Sequence, residues 1–180
     1  VLDPQGRPAA PGVQGEIAFS GRHPGLMLGY WRDGGVVRAF DPDGWHLTGD
    51  AGYLDEHGNL YFVGRSDDII SSSGYRIGPT EVENALARHP SVRECAVCAS
   101  PDRERGEVVK AFVVLKDGQS GTPALARALQ DFVKAEIAPF KYPRRIDFVA
   151  DLPRTSSGKI SRRLLREAEF TPDRLLEPPS

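Results

Sequence analysis

The chain has 180 residues, enough for one ordinary domain or for a small domain joined to part of another. Hydrophobic residues make up 39% and charged residues 27%, which suits a packed core under a solvated surface. A net charge of −2 gives no bulk attraction to nucleic acid or to a membrane, so any anion site has to come from local clustering. No window resembles a signal peptide or an apolar span long enough to cross a bilayer, and the expected location is cytoplasmic. The chain begins at Val1 without an initiator methionine and reads as a fragment.

Residues 1–66 look β-rich and turn-rich. GEIAFSG alternates apolar and polar side chains as a half-buried strand does. GLMLGYW follows, then a stretch rich in glycine and aspartate, Asp33 to Gly44, which reads as a loop. AGYLDEHGNLYFVG reads as a hairpin around the turn-forming set Asp55 to Asn59. These strands are too few to close a barrel, and the expectation is that they complete a larger domain.

After Arg65 the texture changes. DDIISSSGYRIG reads as two short strands around a serine-glycine turn. Pro79 occupies a first helical position, with Glu81 and Glu83 assigned to the first turn and Val82, Ala85 and Leu86 on one apolar face ending near His89. VRECAVCAS and EVVKAFVVL are the strongest strand candidates. Within the first, strand alternation puts Cys95 and Cys98 on opposite faces, so the C-x-x-C spacing reads as two buried thiols rather than a redox or zinc site. Residues 123–138 resume helical periodicity through Leu125, Leu129, Phe132 and Val133. RIDFV is expected as an edge strand, and the polar loop RTSSGK leads into a short basic helix, SRRLLREAEF. The expected fold class is α+β: a small C-terminal domain over 67–180 with a three-stranded sheet, a β-hairpin and flanking helices, preceded by the β-rich piece 1–66.

Four clusters invite a chemical reading. In WHLTGD, Asp50 follows a Thr-Gly pair; its carboxylate suits the vicinal hydroxyls of a ribose, or is an ordinary turn aspartate. In GRSDDIISSSGYRIG, Arg65 ends a strand, two carboxylates mark a linker, and Gly74 between Ser73 and Tyr75 leaves room for a slender ligand to pass the backbone. The same stretch equally describes a hairpin with a flexible turn. In PRTSSGKISR, Lys159 ends a serine-glycine loop just ahead of a helix. Such a lysine carries a point charge to a developing phosphate or carboxylate charge, or is simply solvated; the spacing is not that of a phosphate-binding P-loop. The fourth cluster is dispersed: Arg103, Arg105, Lys134, Lys141, Arg144 and Arg145, with Tyr142 and Pro143 among them. Cations around an aromatic suit a phosphorylated nucleotide, and equally a plain basic surface.

In order and together, GEIAFSGRHPGLMLGYW, WHLTGDAGYLDEHGNLYFVGRSDD, IISSSGYRIGPTEVENAL and PRTSSGKISRRLLR resemble the adenylate-forming superfamily. That superfamily includes acyl-CoA synthetases, luciferases and peptide-synthetase adenylation domains. RGEVVKAFVVL and KYPRRIDFVADLPRTSSGKI look most like the AMP-forming medium-chain acyl-CoA synthetases and their bacterial relatives. The resemblance implies ATP and coenzyme A as substrates with a carboxylic acid, medium-chain fatty or aromatic, and an acyl-adenylate intermediate. It implies that Asp50 and Arg65 hold the ribose, that Lys159 bridges the carboxylate and the α-phosphate, and that Asp67 is a hinge between the two pieces. Ser73, Gly74 and Tyr75 would line a pantetheine tunnel, and Arg76 would contact substrate or phosphate. Arg105, Lys134, Tyr142, Pro143 and Arg144 would meet the coenzyme A nucleotide. The family's phosphate loop, most of its acyl pocket and its Mg2+ ligand would lie upstream of Val1, so no metal ligand is named and this piece is expected to be inactive alone. Its partner would be its own N-terminal domain. Loading of a carrier protein, and a non-catalytic binding module, are the competing expectations.

Overall fold

A computed structural model describes residues 1–21, 24–38, 40–41 and 44–171. The chain divides into two compact units, the first ending at Asp67 and the second beginning at Asp68.

In the first unit, β1 (Gly15–Ser20), β4 (Trp45–Leu54) and β5 (Leu60–Arg65) form an antiparallel sheet in the order β1-β4-β5. The turn from β4 to β5 is built by Asp55, whose Oδ1 accepts from the His57 and Asn59 amides at 2.9 and 2.8 Å. These bonds hold the Asp55 carboxyl below its usual pKa, the Asn59 side-chain amide contributing most. The expected loop between Asp33 and Gly44 is in part a hairpin: β2 (Gly29–Arg32) pairs with β3 (Gly35–Arg38). Asp33 and Gly34 both have positive φ, 48° and 81°, the backbone of a two-residue type I′ turn, so the Asp-Gly pair is the hairpin signal. Leu2, Ile17 and Ala51 are buried here, while Leu28, Trp31 and Phe62 stand 85%, 73% and 60% exposed.

The second unit carries one five-stranded sheet. β9 (Gly106–Leu115) is its spine, with β8 (Val92–Asp102) antiparallel along one edge. On the other edge β10 (Arg145–Phe148) runs parallel from Lys110 to Val113, and β6 (Ile70–Ser72) joins through Ser72 and Gly106. β7 (Tyr75–Ile77) closes a hairpin with β6. The three-stranded sheet and the hairpin anticipated separately are therefore continuous.

Alternation along β8 and β9 sorts the core into two layers. Cys95, Val97, Ala99, Val109, Ala111 and Val113 face α1 (Pro79–Ala87) and α2 (Pro123–Glu136). Ala96, Cys98, Phe112 and Val114 face the other way, onto Leu152 and onto Leu165 of α3 (Arg162–Glu169). Both faces of the strands are thus covered, which is why they read as near-continuous apolar runs. Cys95 and Cys98 lie on opposite faces, both free, and burial pushes each thiol up to about 12.

Helix α1 starts on Pro79, and Val82, Ala85 and Leu86 are fully buried. Its first turn holds Glu81 but not Glu83, contrary to the expectation. Thr122 caps α2 through the Leu125 amide at 3.1 Å, and Leu129 and Val133 are fully buried. Each such aliphatic side chain contributes about 1.5–3 kcal/mol by leaving water.

Candidate functional sites

In the first unit, Asp50 on β4 stands directly opposite Arg65 on β5. Arg65 Nη1 donates to Asp50 Oδ1 at 2.9 Å and to the Thr48 carbonyl at 3.0 Å. The Thr-Gly pair before Asp50 is an irregularity inside the strand, not a turn that ends it. Thr48 Oγ1 donates to the Ile17 carbonyl at 2.9 Å and accepts from the Asp50 amide at 3.0 Å. Gly49 takes φ +73°, and a Cβ there would sit 2.6 Å from Arg65 Nη2. The positive φ is what calls for glycine here, since the guanidinium lies at the end of a flexible side chain and can shift. Asp50 Oδ2 has no partner among the described residues, so this carboxylate keeps acceptor capacity for a diol. Asp67 falls in a short 3-10 helix, Ser66–Asp68, at the end of this unit.

In the second unit the β6–β7 turn is Ser73-Gly74, with φ of 48° and 83°, again a type I′ geometry. Arg105 Nη1 donates to Ser73 Oγ at 3.0 Å, and the Ser73 amide donates to the Arg105 carbonyl at 3.3 Å. Tyr75 stacks on Phe140 with ring centroids 4.2 Å apart. Phe140 belongs to a 3-10 turn, Pro139–Lys141, that leads into Tyr142. Lys134 from α2 sits 4.4 Å from the Tyr142 ring centre and Arg144 sits 5.1 Å from it. Ser73, Gly74, Tyr75 and Arg105 therefore gather around one turn, and Lys134 and Arg144 gather around Tyr142, with Phe140 joining the two groups. Arg76 is exposed, with no partner among the described residues.

Two members of the basic cluster behave otherwise. Lys141 donates to Glu81 Oε2 at 2.6 Å, and Arg145 donates to Ser100 Oγ at 2.7 Å and lies 3.4 Å from Asp102. Both are internal ties rather than open cations. Pro143 is fully buried and shapes the turn between Tyr142 and Arg144. Phe140 was missed from sequence; its signal was a half-exposed aromatic next to Lys141-Tyr142.

Lys159 stands exposed on a turn closed by Thr155 N–H to Lys159 O at 2.8 Å and Gly158 N–H to Thr155 O at 2.9 Å. The serine-glycine loop is a hydrogen-bonded turn. Its ammonium has no partner among the described residues. Flanking it, Arg154 contacts both oxygens of Glu94 at 2.8 and 2.7 Å, and Arg162 forks onto Glu83 with Nε to Oε1 at 2.8 Å. The Glu83 carboxylate raises the Arg162 guanidinium above its usual pKa, and Glu94 does the same for Arg154.

Comparison with known proteins bears on these sites. Residues 81–159 match the model for the AMP-binding enzyme C-terminal domain, ending on Lys159. The mitochondrial acyl-coenzyme A synthetase ACSM3 of Rattus norvegicus is 47% identical over 176 residues, covering 95% of this chain and 30% of that protein. The uncharacterized acyl--CoA ligase YtcI of Bacillus subtilis is 46% identical over 169 residues, covering 94% of this chain and 32% of that protein. The crystal structure of the anthranilate CoA ligase AuaEII with anthranoyl-AMP superposes with a TM-score of 0.78 at 37% identity, over 93% of this chain and 32% of that one. The chain therefore spans about 30% of the length of the curated relatives it matches, and the likeness to acyl-CoA synthetases runs over nearly all of its own length.

Proposed function

We propose that this chain is the C-terminal part of an enzyme that joins a carboxylic acid to coenzyme A using ATP. In the first step the carboxylate oxygen attacks the α-phosphorus of ATP, and pyrophosphate leaves. In the second the coenzyme A thiol, losing its proton, attacks the acyl carbon and AMP leaves. Asp50 and Arg65 hold the ribose, the free Oδ2 of Asp50 accepting from a hydroxyl while Arg65 fixes the carboxylate plane. Lys159 is the catalytic residue of the first step. Its compact ammonium stabilises charge shared between the carboxylate and the α-phosphate oxygens. Ser73, Gly74 and Tyr75 line the path of pantetheine, while Arg105, Lys134, Tyr142 and Arg144 meet the nucleotide end of coenzyme A. Arg76 serves substrate or phosphate.

Asp67 acts as the hinge between residues 1–66 and 67–180, turning one function away as it brings in the other. The exposed Leu28, Trp31 and Phe62 support a first unit that is covered by the N-terminal part of a longer polypeptide. Mg2+ would be held there too; among the described residues no three His, Cys, Asp or Glu side chains gather into a cation site. The acid is a medium-chain fatty or an aromatic one, the latter supported by likeness to an anthranilate ligase. The setting is cytoplasmic; no helix among the described residues is long and apolar enough to cross a membrane.

The observation that carries this reading is an exposed Lys159, without a partner among the described residues, on a hydrogen-bonded turn that closes the matched domain. The test is Lys159→Ala in the complete polypeptide. Adenylation, followed as pyrophosphate release, is expected to fall by about three orders of magnitude, while thioester formation from supplied acyl-adenylate persists. Unchanged adenylation leaves a binding module as the better reading, and product formed only with a carrier protein replaces the coenzyme A reading.

A further inference from the structure

The turn that bears Lys159 contains Thr155, Ser156, Ser157 and Gly158, and Gly158 sits at φ +81°. Residues of this kind leave a free chain many conformations. Two backbone bonds close the turn, and Ser161 N–H to Pro153 O at 2.8 Å closes its neck. Those bonds shape it locally but do not tie it to the sheet. Two arginines do. Arg154 donates from Nη1 to the Gly158 carbonyl at 3.1 Å and from Nη2 to both Glu94 oxygens. One guanidinium thereby links the peptide next to Lys159 to strand β8. On the other flank Arg162 forks onto Glu83, whose Oε1 also accepts the Val97 amide of β8 at 2.9 Å. Val97 lies on the outer edge of β8, so Glu83 anchors α3 to α1 and to the sheet at one point.

We infer that Arg154 and Arg162, acting through Glu94 and Glu83, are positioning residues that fix where the Lys159 ammonium stands. The inference rests on the adenylation role proposed for Lys159. Its physical basis is that a misplacement of about 1 Å at a reacting centre costs on the order of 100-fold in rate. A lysine on a long stem compensates only partly for a turn that drifts.

Arg154 is the better target because it is more exposed than Arg162, so its removal spares the core. In the complete polypeptide, Arg154→Met is expected to lower kcat for adenylation by about 10- to 100-fold. KM for ATP and thioester formation from supplied acyl-adenylate are expected to stay within about twofold. Arg154→Lys, which cannot reach Glu94 and the Gly158 carbonyl together, is expected to recover only part of the loss. Amide exchange at Gly158 is expected to quicken in Arg154→Met while the unfolding midpoint of the second unit holds. Equal loss in both half-reactions, full recovery by lysine, or unchanged exchange at Gly158 would each overturn the inference. Lys159→Ala run alongside separates the two claims. Normal adenylation there defeats the role of the lysine itself, whereas impaired Lys159→Ala beside a normal Arg154→Met defeats the positioning role alone.

Discussion

Lys110 lies on the central strand of the second unit, only 4% exposed, and its ammonium sits 2.8 Å from Glu169 Oε1 and 2.7 Å from Asp147 Oδ2. Glu169, at the end of α3, is 3% exposed and also accepts from Ser100 Oγ at 2.7 Å. Lys110→Met keeps the stem and removes the charge. Asp147 is 42% exposed at its side chain and turns to water at little cost. Glu169 cannot, and taking the ammonium from a buried ion pair costs up to about 3–5 kcal/mol. Allowing for the hydroxyl it retains, a loss of about 3 kcal/mol is expected. Among the described residues the α-helices α1, α2 and α3 lie in the second unit, and both tryptophans lie in the first, so far-UV circular dichroism follows one unit and indole fluorescence the other. With a urea m-value of roughly 1.5 kcal/mol/M, the dichroism midpoint should fall by about 2 M while the fluorescence midpoint stays. Lys110→Met with Glu169→Leu should recover most of the loss, because two apolar side chains replace the pair. A single-variant loss under about 1 kcal/mol, or a double variant no better than the single, would refute the reasoning.

Gly49→Ala should destabilise the first unit by about 1–2 kcal/mol through its positive φ, read as a shift in the fluorescence transition. In an Arg65→Ala background the loss should persist, because it comes from the backbone. Cys95 and Cys98, each pushed up to about 12 by burial, should resist iodoacetamide until the second unit unfolds; labelling at native rates would show an open core. Because these folded thiols hold their protons above the ordinary value of 9.0, stability is full below pH 9 and should decline as pH rises towards 12, measured by urea midpoints. Asp67→Pro removes an amide and restricts Ser66, so in the complete polypeptide thioester formation should suffer more than adenylation; equal losses in stopped-time assays would count against the hinge.

Much of the second unit was readable because its signals are local. Pro79 at a helix start, the apolar spacing of Val82, Ala85 and Leu86, and the long runs of β8 and β9 each point one way. The opposite facing of Cys95 and Cys98 followed from alternation alone. What stayed hidden depends on distant partners. Nothing near Glu83 says that its carboxylate meets Arg162, and nothing in KYPRR says that Arg145 turns inward to Ser100 while Arg144 rests on Tyr142. Nothing in KYPRR says that Pro143 is fully buried while Tyr142 beside it is not. The β2–β3 hairpin was hidden for another reason: its glycines and aspartates were weighed as loop composition, although Asp33-Gly34 is itself the hairpin signal.

The β6–β7 hairpin has three residues in each arm and meets the rest of the sheet through a single residue pair. So short a ladder has almost no register of its own, and the two-residue turn sets it. Ser73 accepts a left-handed backbone, uncommon for a residue with a side chain, and the bond from Arg105 holds it there. Tyr75 consequently reaches Phe140 only at this turn length. Lengthening or shortening the turn by one residue would swing the tyrosine to the opposite side of the ribbon, so natural variation here should arise by replacement of residues rather than by insertion or deletion.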